Sequence, residues 1–171
     1  MCFDYNLITA LATFVMALVA VVAVYVEIRH TRFTVGTDII LRLDEKFHSE
    51  KYRKIRRNAA TAFLDEKLGD KRWEKGEDIL NFFETVAILC RQKALDNNIV
   101  WDMFFYWMHR YYQCMEGHIK NICKNDPTMW ENLISLHKHL VEIEKHRRHC
   151  SDVDVPENIM NDFLVAESKL Q

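Results

Sequence analysis

Leu7–Val26 reads LITALATFVMALVAVVAVYV, twenty residues with no charge and only two hydroxyls, Thr9 and Thr13. As a helix rising about 1.5 Å per residue it reaches roughly 30 Å, the thickness of a bilayer core. A soluble helix of that length keeps a polar face, and this one has none. The stretch therefore predicts a transmembrane helix. A cleaved signal peptide needs basic residues ahead of the apolar run, and the leading MCFDYN supplies none. Asp4 precedes the span; Arg29, Arg32, Arg42 and Lys46 follow it. By the positive-inside rule the span is single-pass, with the N-terminus outside and the body in the cytoplasm.

The whole chain has 171 residues, 23 Lys and Arg, 25 Asp and Glu, and a net charge of −2. No basic residue precedes Arg29, and Asp4 and Glu27 are the only acidic ones before it. Residues 1–28 thus read as a membrane anchor and residues 29–171 as a cytoplasmic α-helical bundle. With four Gly and two Pro, the chain lacks the turns of a β-sandwich and the composition of a disordered or collagen-like protein. The near-neutral balance excludes a globally basic nucleic-acid binder but leaves room for a local patch. The five Cys are odd in number and contain no CxxC pair, which fits a reducing cytoplasm rather than a disulfide framework or zinc finger.

The body reads as helix almost throughout, with no strand signal, so the expected fold class is all-α. The first helix runs on from the span through Ile28–Phe47, with Gly36 its weak point. Ser49-Glu50 starts a second helix, reaching about Leu68, and Gly69–Gly76 is a polar loop. Glu77 and Asp78 open a third, to Leu95, with acidic residues where the helix dipole favours them. Asp96-Asn97-Asn98 breaks it, and a fourth runs from Ile99 to about Lys124. Its Trp101, Phe104, Phe105, Tyr106, Trp107, Met108, Tyr111 and Tyr112 make it apolar nearly all round, as suits a central core helix. Asp126-Pro127 has the form of a helix start, with Asp126 as cap, leading a fifth helix to about His149. Pro156–Leu170 forms a last short amphipathic one.

Few constellations carry chemistry. Lys51, Arg53, Lys54, Arg56 and Arg57 put five bases within seven residues. They form either a solvated face or a surface for a partner protein or RNA phosphate. Lipid is out of reach if the first helix is straight. Arg53 then lies roughly 40 Å beyond the bilayer, whereas surface potential decays over about 8 Å. Arg42 and His48 match the R-x(4–6)-H spacing in which Arg steadies phosphate charge and His moves a proton. Glu84, inside an apolar run, needs a partner; Arg42 is one candidate, with Asp44 the other acid that Arg42 reaches for. His146, His149 and Cys150 share one helical face but lack a fourth ligand, so neither metal nor cofactor is expected.

The span itself is two-sided. Asn6, Ala10, Thr13, Ala17, Ala20, Val24 and Glu27 recur at spacings of four and three, a heptad-like seam of mainly small or polar side chains. Leu11, Phe14, Leu18, Val21, Val22 and Tyr25 lie off it. Small residues let helices approach in lipid, and large apolar ones suit acyl chains. Thr31, Thr34 and Asp38 continue the phase beyond the span. One helix cannot enclose a channel, so a pore along this seam requires a homo-oligomer in the lipid bilayer.

The span followed by RLDEKFHSEKYRKIRR, ILNFFETVAIL and VWDMFFYWMHRYY resembles a bacterial family of membrane-anchored helical domains of unknown function. Within that neighbourhood it looks most like the small accessory proteins encoded beside type VI-B CRISPR RNA-guided ribonucleases. The resemblance implies an inner-membrane location, a divergent HEPN-like bundle, and enhancement of antiphage defence together with the nuclease. HEPN ribonucleases carry their R-x(4–6)-H motif on a late helix of the bundle. Here Arg42 and His48 sit on the helix leaving the membrane, with no second copy in the cluster. The expectation is therefore a non-enzymatic membrane effector that forms a pore. The alternatives are a membrane-tethered ribonuclease using Arg42 and His48, and an anchored scaffold.

Overall fold

The structure is a computed structural model. It describes the backbone from Tyr5 to Gln171, and the side chains except those of residues 5–8, 29, 32, 33 and 66. Asp4 and the side chains of Asn6, Arg29 and Arg32, used in the seam and orientation arguments, lie outside the described residues. Six α-helices run in order: α1 (Tyr5–His48), α2 (Glu50–Leu64), α3 (Glu77–Arg91), α4 (Asn97–Asn125), α5 (Glu131–Arg148) and α6 (Glu157–Ser168). No strand occurs among the described residues, so the fold is all-α. The chain divides into two compact units, residues 1–38 and 39–171.

In the first unit, Thr9–Ile28 is long and apolar enough to cross a membrane, and every residue of it is exposed. In the second unit, α2 packs on α6 and on the segment Glu66–Gly76, while α3 packs on α5 and α4. Phe47, fully buried at the end of α1, is the hub of the core. Its ring centroid lies 5.1 Å from Phe82, 5.6 Å from Phe83, 5.8 Å from Phe104 and 5.6 Å from Trp107. Several of these meet edge to face, the geometry aromatic quadrupoles favour. The aromatic run of α4 is the central core helix its composition predicts: Phe104, Phe105, Met108 and Tyr111 are buried.

Three element boundaries differ from the sequence reading. The expected polar loop Gly69–Gly76 lies within a 3-10 helical segment, Glu66–Gly76, kinked at Gly69 (φ 53°, ψ −137°), a backbone that needs glycine. Gly76, at its end, is a close approach: a Cβ there would meet Met115 Sδ and Phe63 Cζ at 2.5 Å. Next, α3 stops at Arg91, four residues short of Leu95, and α4 starts at Asn97 because Asp96 accepts from Asn98 N at 2.8 Å.

Asp126-Pro127 does not start α5. The Asp126 carboxylate accepts from Thr128 N (3.0 Å) and Thr128 Oγ1 (2.7 Å), holding a turn instead. The helix begins at Glu131, after Trp130 in the left-handed region (φ 54°). Its cap comes from another helix. Glu84 of α3 accepts from Leu133 N at 2.7 Å and Asn132 Nδ2 at 2.5 Å, placing a carboxylate at the positive end of the helix dipole. One turn earlier on α3, Asn81 Oδ1 accepts from Trp130 Nε1 at 2.9 Å. The apolar surroundings of Glu84 are thus met by backbone and amide donors of α5.

Candidate functional site

Along α1 the described seam residues Ala10, Thr13, Ala17, Ala20, Val24 and Glu27 are all exposed, as are Thr31, Thr34 and Asp38. Thr13 Oγ1 donates to the Thr9 carbonyl at 2.9 Å and Thr34 Oγ1 to the His30 carbonyl at 3.1 Å. Their hydroxyl protons are satisfied within the helix, so Thr13 enters lipid at little cost. The hydroxyl oxygen keeps a lone pair for a neighbouring helix or water.

The basic cluster on α2 is smaller than its sequence suggests. Arg56 is 3% exposed and belongs to the core. Its Nε donates to Glu167 Oε2 at 2.7 Å and its NH2 to Oε1 at 2.6 Å, a bidentate pair joining α2 to α6. Tyr111 of α4 donates its hydroxyl to Glu167 Oε2 at 2.6 Å, and the guanidinium lies 4.4 Å from the Phe47 ring centre. Burial alone would push the Arg56 guanidinium down; the hydrogen bond and charge of Glu167 outweigh it and hold it raised. Burial, with the Glu167 charge, pushes the Tyr111 hydroxyl well above its ordinary range. Arg56 therefore cannot reach a phosphate. Arg57 is half-buried and donates to the Leu170 carbonyl at 3.2 Å. Lys51, Arg53 and Lys54 remain exposed.

Arg42 and His48 are both exposed on α1. Six residues apart, they lie about 120° from each other around the helix axis, so their side chains do not converge on one phosphate. His48 Nδ1 donates to the Asp44 backbone carbonyl at 3.0 Å, with Asp44 Oδ1 3.2 Å away. Among the described residues no group of His, Cys, Asp and Glu is placed to hold a metal ion. His146 and His149 are exposed, and His149 is the left-handed end of α5. Cys90, Cys114, Cys123 and Cys150 are free. Burial pushes Cys90 up to about 12 and Cys114 to about 11, leaving both as inert thiols.

The most developed concave feature is a cleft of about 700 Å³ between α4, α5, the loop after α5 and α6. A column of rings leads inward from it. Trp101 stacks on Phe105 (6.0 Å between centroids), Phe105 on His109 (5.1 Å), His109 on His137 (5.2 Å) and His137 on Tyr112 (3.8 Å). The Arg147 guanidinium covers Trp101 at 4.0 Å and donates to Asp102 at 2.8 Å. His109 Nε2 lies 2.9 Å from the Val153 carbonyl, which only accepts, so Nε2 carries the proton. In the neutral ring Nδ1 is then an acceptor, and His137 Nε2 donates to it at 2.9 Å.

The lining contains polar atoms without partners. Four buried side-chain polar atoms lack a hydrogen bond among the described residues, and three of them belong to cleft residues: Trp101 Nε1, Arg110 Nε and Glu144 Oε2. Glu144 is 5% exposed; only its other oxygen is engaged, by Arg148 Nε at 2.5 Å. Buried polar groups are normally satisfied, so three such atoms around one cleft are a chemical signal.

The model of a domain of unknown function, DUF4760, matches residues 7–140. The chain belongs to this family. No curated protein and no solved structure matches it. The DUF4760 match takes in the apolar span of α1 and most of the bundle. It ends inside α5, so Glu144, the loop after α5, and α6 with Glu167 lie beyond the segment the family model covers.

The histidine pair makes stability depend on pH. Burial pushes His137 down to about 3, with His109 beside it adding to the effect. Burial also lowers His109, against the pull of its bond to Val153 and the charges of Asp154 and Glu144. Both rings are neutral when folded. The unfolded chain takes up their protons near pH 6.5, so stability falls as pH drops below that value toward 3. Each ring contributes at most about 1.4 kcal/mol per pH unit. Thermal unfolding between pH 7 and pH 5 should show the fall. His137→Gln, which removes one of the two titrations, should flatten it; equal slopes in both proteins would contradict the assignment.

Proposed function

We propose that the protein is a non-enzymatic effector of the bacterial inner membrane. It inserts once through α1, N-terminus outside and bundle in the cytoplasm, and assembles with further copies into a pore. In this reading it enhances antiphage defence by a CRISPR RNA-guided ribonuclease. The observation that carries the proposal is the span Thr9–Ile28, exposed over its whole length. Leaving that much apolar surface in water is costly, and insertion lowers the free energy by on the order of several kcal/mol. The small-residue seam supports helix association over a plain anchor. The basic residues confined to the chain after the span support the orientation. The resemblance to type VI-B accessory proteins supports the link to defence. HEPN-like topology and RNA contact through Lys51, Arg53 and Lys54 rest on the same resemblance.

The test is expression in bacteria with a triggered RNA-guided ribonuclease, following membrane potential beside RNA integrity. A depolarisation that needs this protein, with no added RNA cleavage of its own, is expected. Unchanged potential makes it a scaffold. RNA cleavage lost in His48→Ala makes it a ribonuclease.

A further inference from the structure

The cleft between α4, α5 and α6 is independent of the span and of assembly through it. Its unsatisfied atoms specify what fits. Trp101 Nε1 and Arg110 Nε are buried donors in need of acceptors, whereas Glu144 Oε2 is a buried acceptor in need of a donor. Asp152 and Asp154 also line the cleft and add negative charge on the Glu144 side of the balance. A simple anion would leave Glu144 unmet and face these carboxylates. A simple amine would satisfy Glu144 but leave both N–H groups unmet. An apolar molecule would meet none of the three. The complement carries both signs: an ammonium for Glu144 and a carboxylate for Arg110 and Trp101. The exposed flank of Phe105 offers an apolar wall beside them, and about 700 Å³ is within the range of small-molecule sites.

We propose that this cleft binds a small zwitterion of the amino-acid class, its ammonium on Glu144 and its carboxylate on Arg110 and Trp101. The site spans α4 and α5, so a bound zwitterion ties together elements whose own polar atoms do not meet across the cleft. Charged hydrogen bonds to buried groups are the strong ones, and each is worth roughly tenfold or more in affinity.

Calorimetric titration of the full-length protein in detergent tests this with three molecules of one shape: L-phenylalanine, phenethylamine (the amine alone) and 3-phenylpropionate (the acid alone). L-Phenylalanine should bind at least tenfold more tightly than either half. Glu144→Gln should weaken L-phenylalanine about tenfold. Trp101→Phe keeps the ring but removes the N–H. It should weaken L-phenylalanine and 3-phenylpropionate while leaving phenethylamine unchanged, and it decides the matter if Glu144→Gln fails to fold. The proposal is overturned if L-phenylalanine does not bind at millimolar concentration, if either half binds as well, or if folded variants bind L-phenylalanine like wild type.

Discussion

Arg56→Ala should lower the stability of the bundle by about 3–5 kcal/mol, the cost of leaving a buried carboxylate without its counter-charge. Glu167 would keep only the Tyr111 hydroxyl, in a site where Arg56 and Glu167 are 3% and 5% exposed. For a unit of this size the loss is a large share of a total of roughly 5–15 kcal/mol, and it should lower Tm by about 10–20 °C. Glu167→Ala should cost a similar amount, since it strands the guanidinium instead. Replacing both at once, Arg56→Met with Glu167→Leu, should recover most of the stability, because a hydrophobic pair avoids the desolvation cost. Arg56→Lys should fall between, as an ammonium cannot make the two parallel bonds. Thermal unfolding of the four variants measures this; an Arg56→Ala protein melting within about 2 °C of wild type would mean the pair is solvated.

The seam of α1 carries the second large effect. Thr13→Leu combined with Ala17→Phe adds bulk at two positions where neighbouring helices would meet. In a symmetric ring each change recurs at every interface, so its cost is multiplied by the number of copies. Conductance should fall at least tenfold, while insertion is retained because both changes make the span more apolar. Val21→Phe adds bulk off the seam, on the face assigned to lipid, and should leave conductance near wild type. Loss of function in both proteins, or in neither, would detach the seam from the activity.

Most of the helical order was legible from sequence because it rests on local signals. The span announces itself by length and lack of charge, Ser49 caps α2, and the aromatic run of α4 occupies the core. The Arg56–Glu167 pair was legible in part. Arg56 shares its phase with buried Ala59, Ala60 and Phe63, and Glu167 with Phe163 and Leu164. Glu144 likewise stands in register with Leu133, Leu136 and Leu140. A charge at an apolar-face position predicts a buried partner, a signal stronger than the count of bases around Arg56. The start of α5 was not legible. Its cap, Glu84, comes from 49 residues away and outcompetes the local Asp126-Pro127 pattern. The cleft depends on bringing the loop after α5 against α4, which no local periodicity encodes.

The central claim is that α1 joins copies of this chain in a membrane. Its most direct test is the mass of the full-length protein extracted into native-lipid nanodiscs without prior detergent. The account predicts particles holding several 20.4 kDa chains, with Thr13→Leu plus Ala17→Phe reducing them to single chains. Wild-type particles holding one chain each would contradict it.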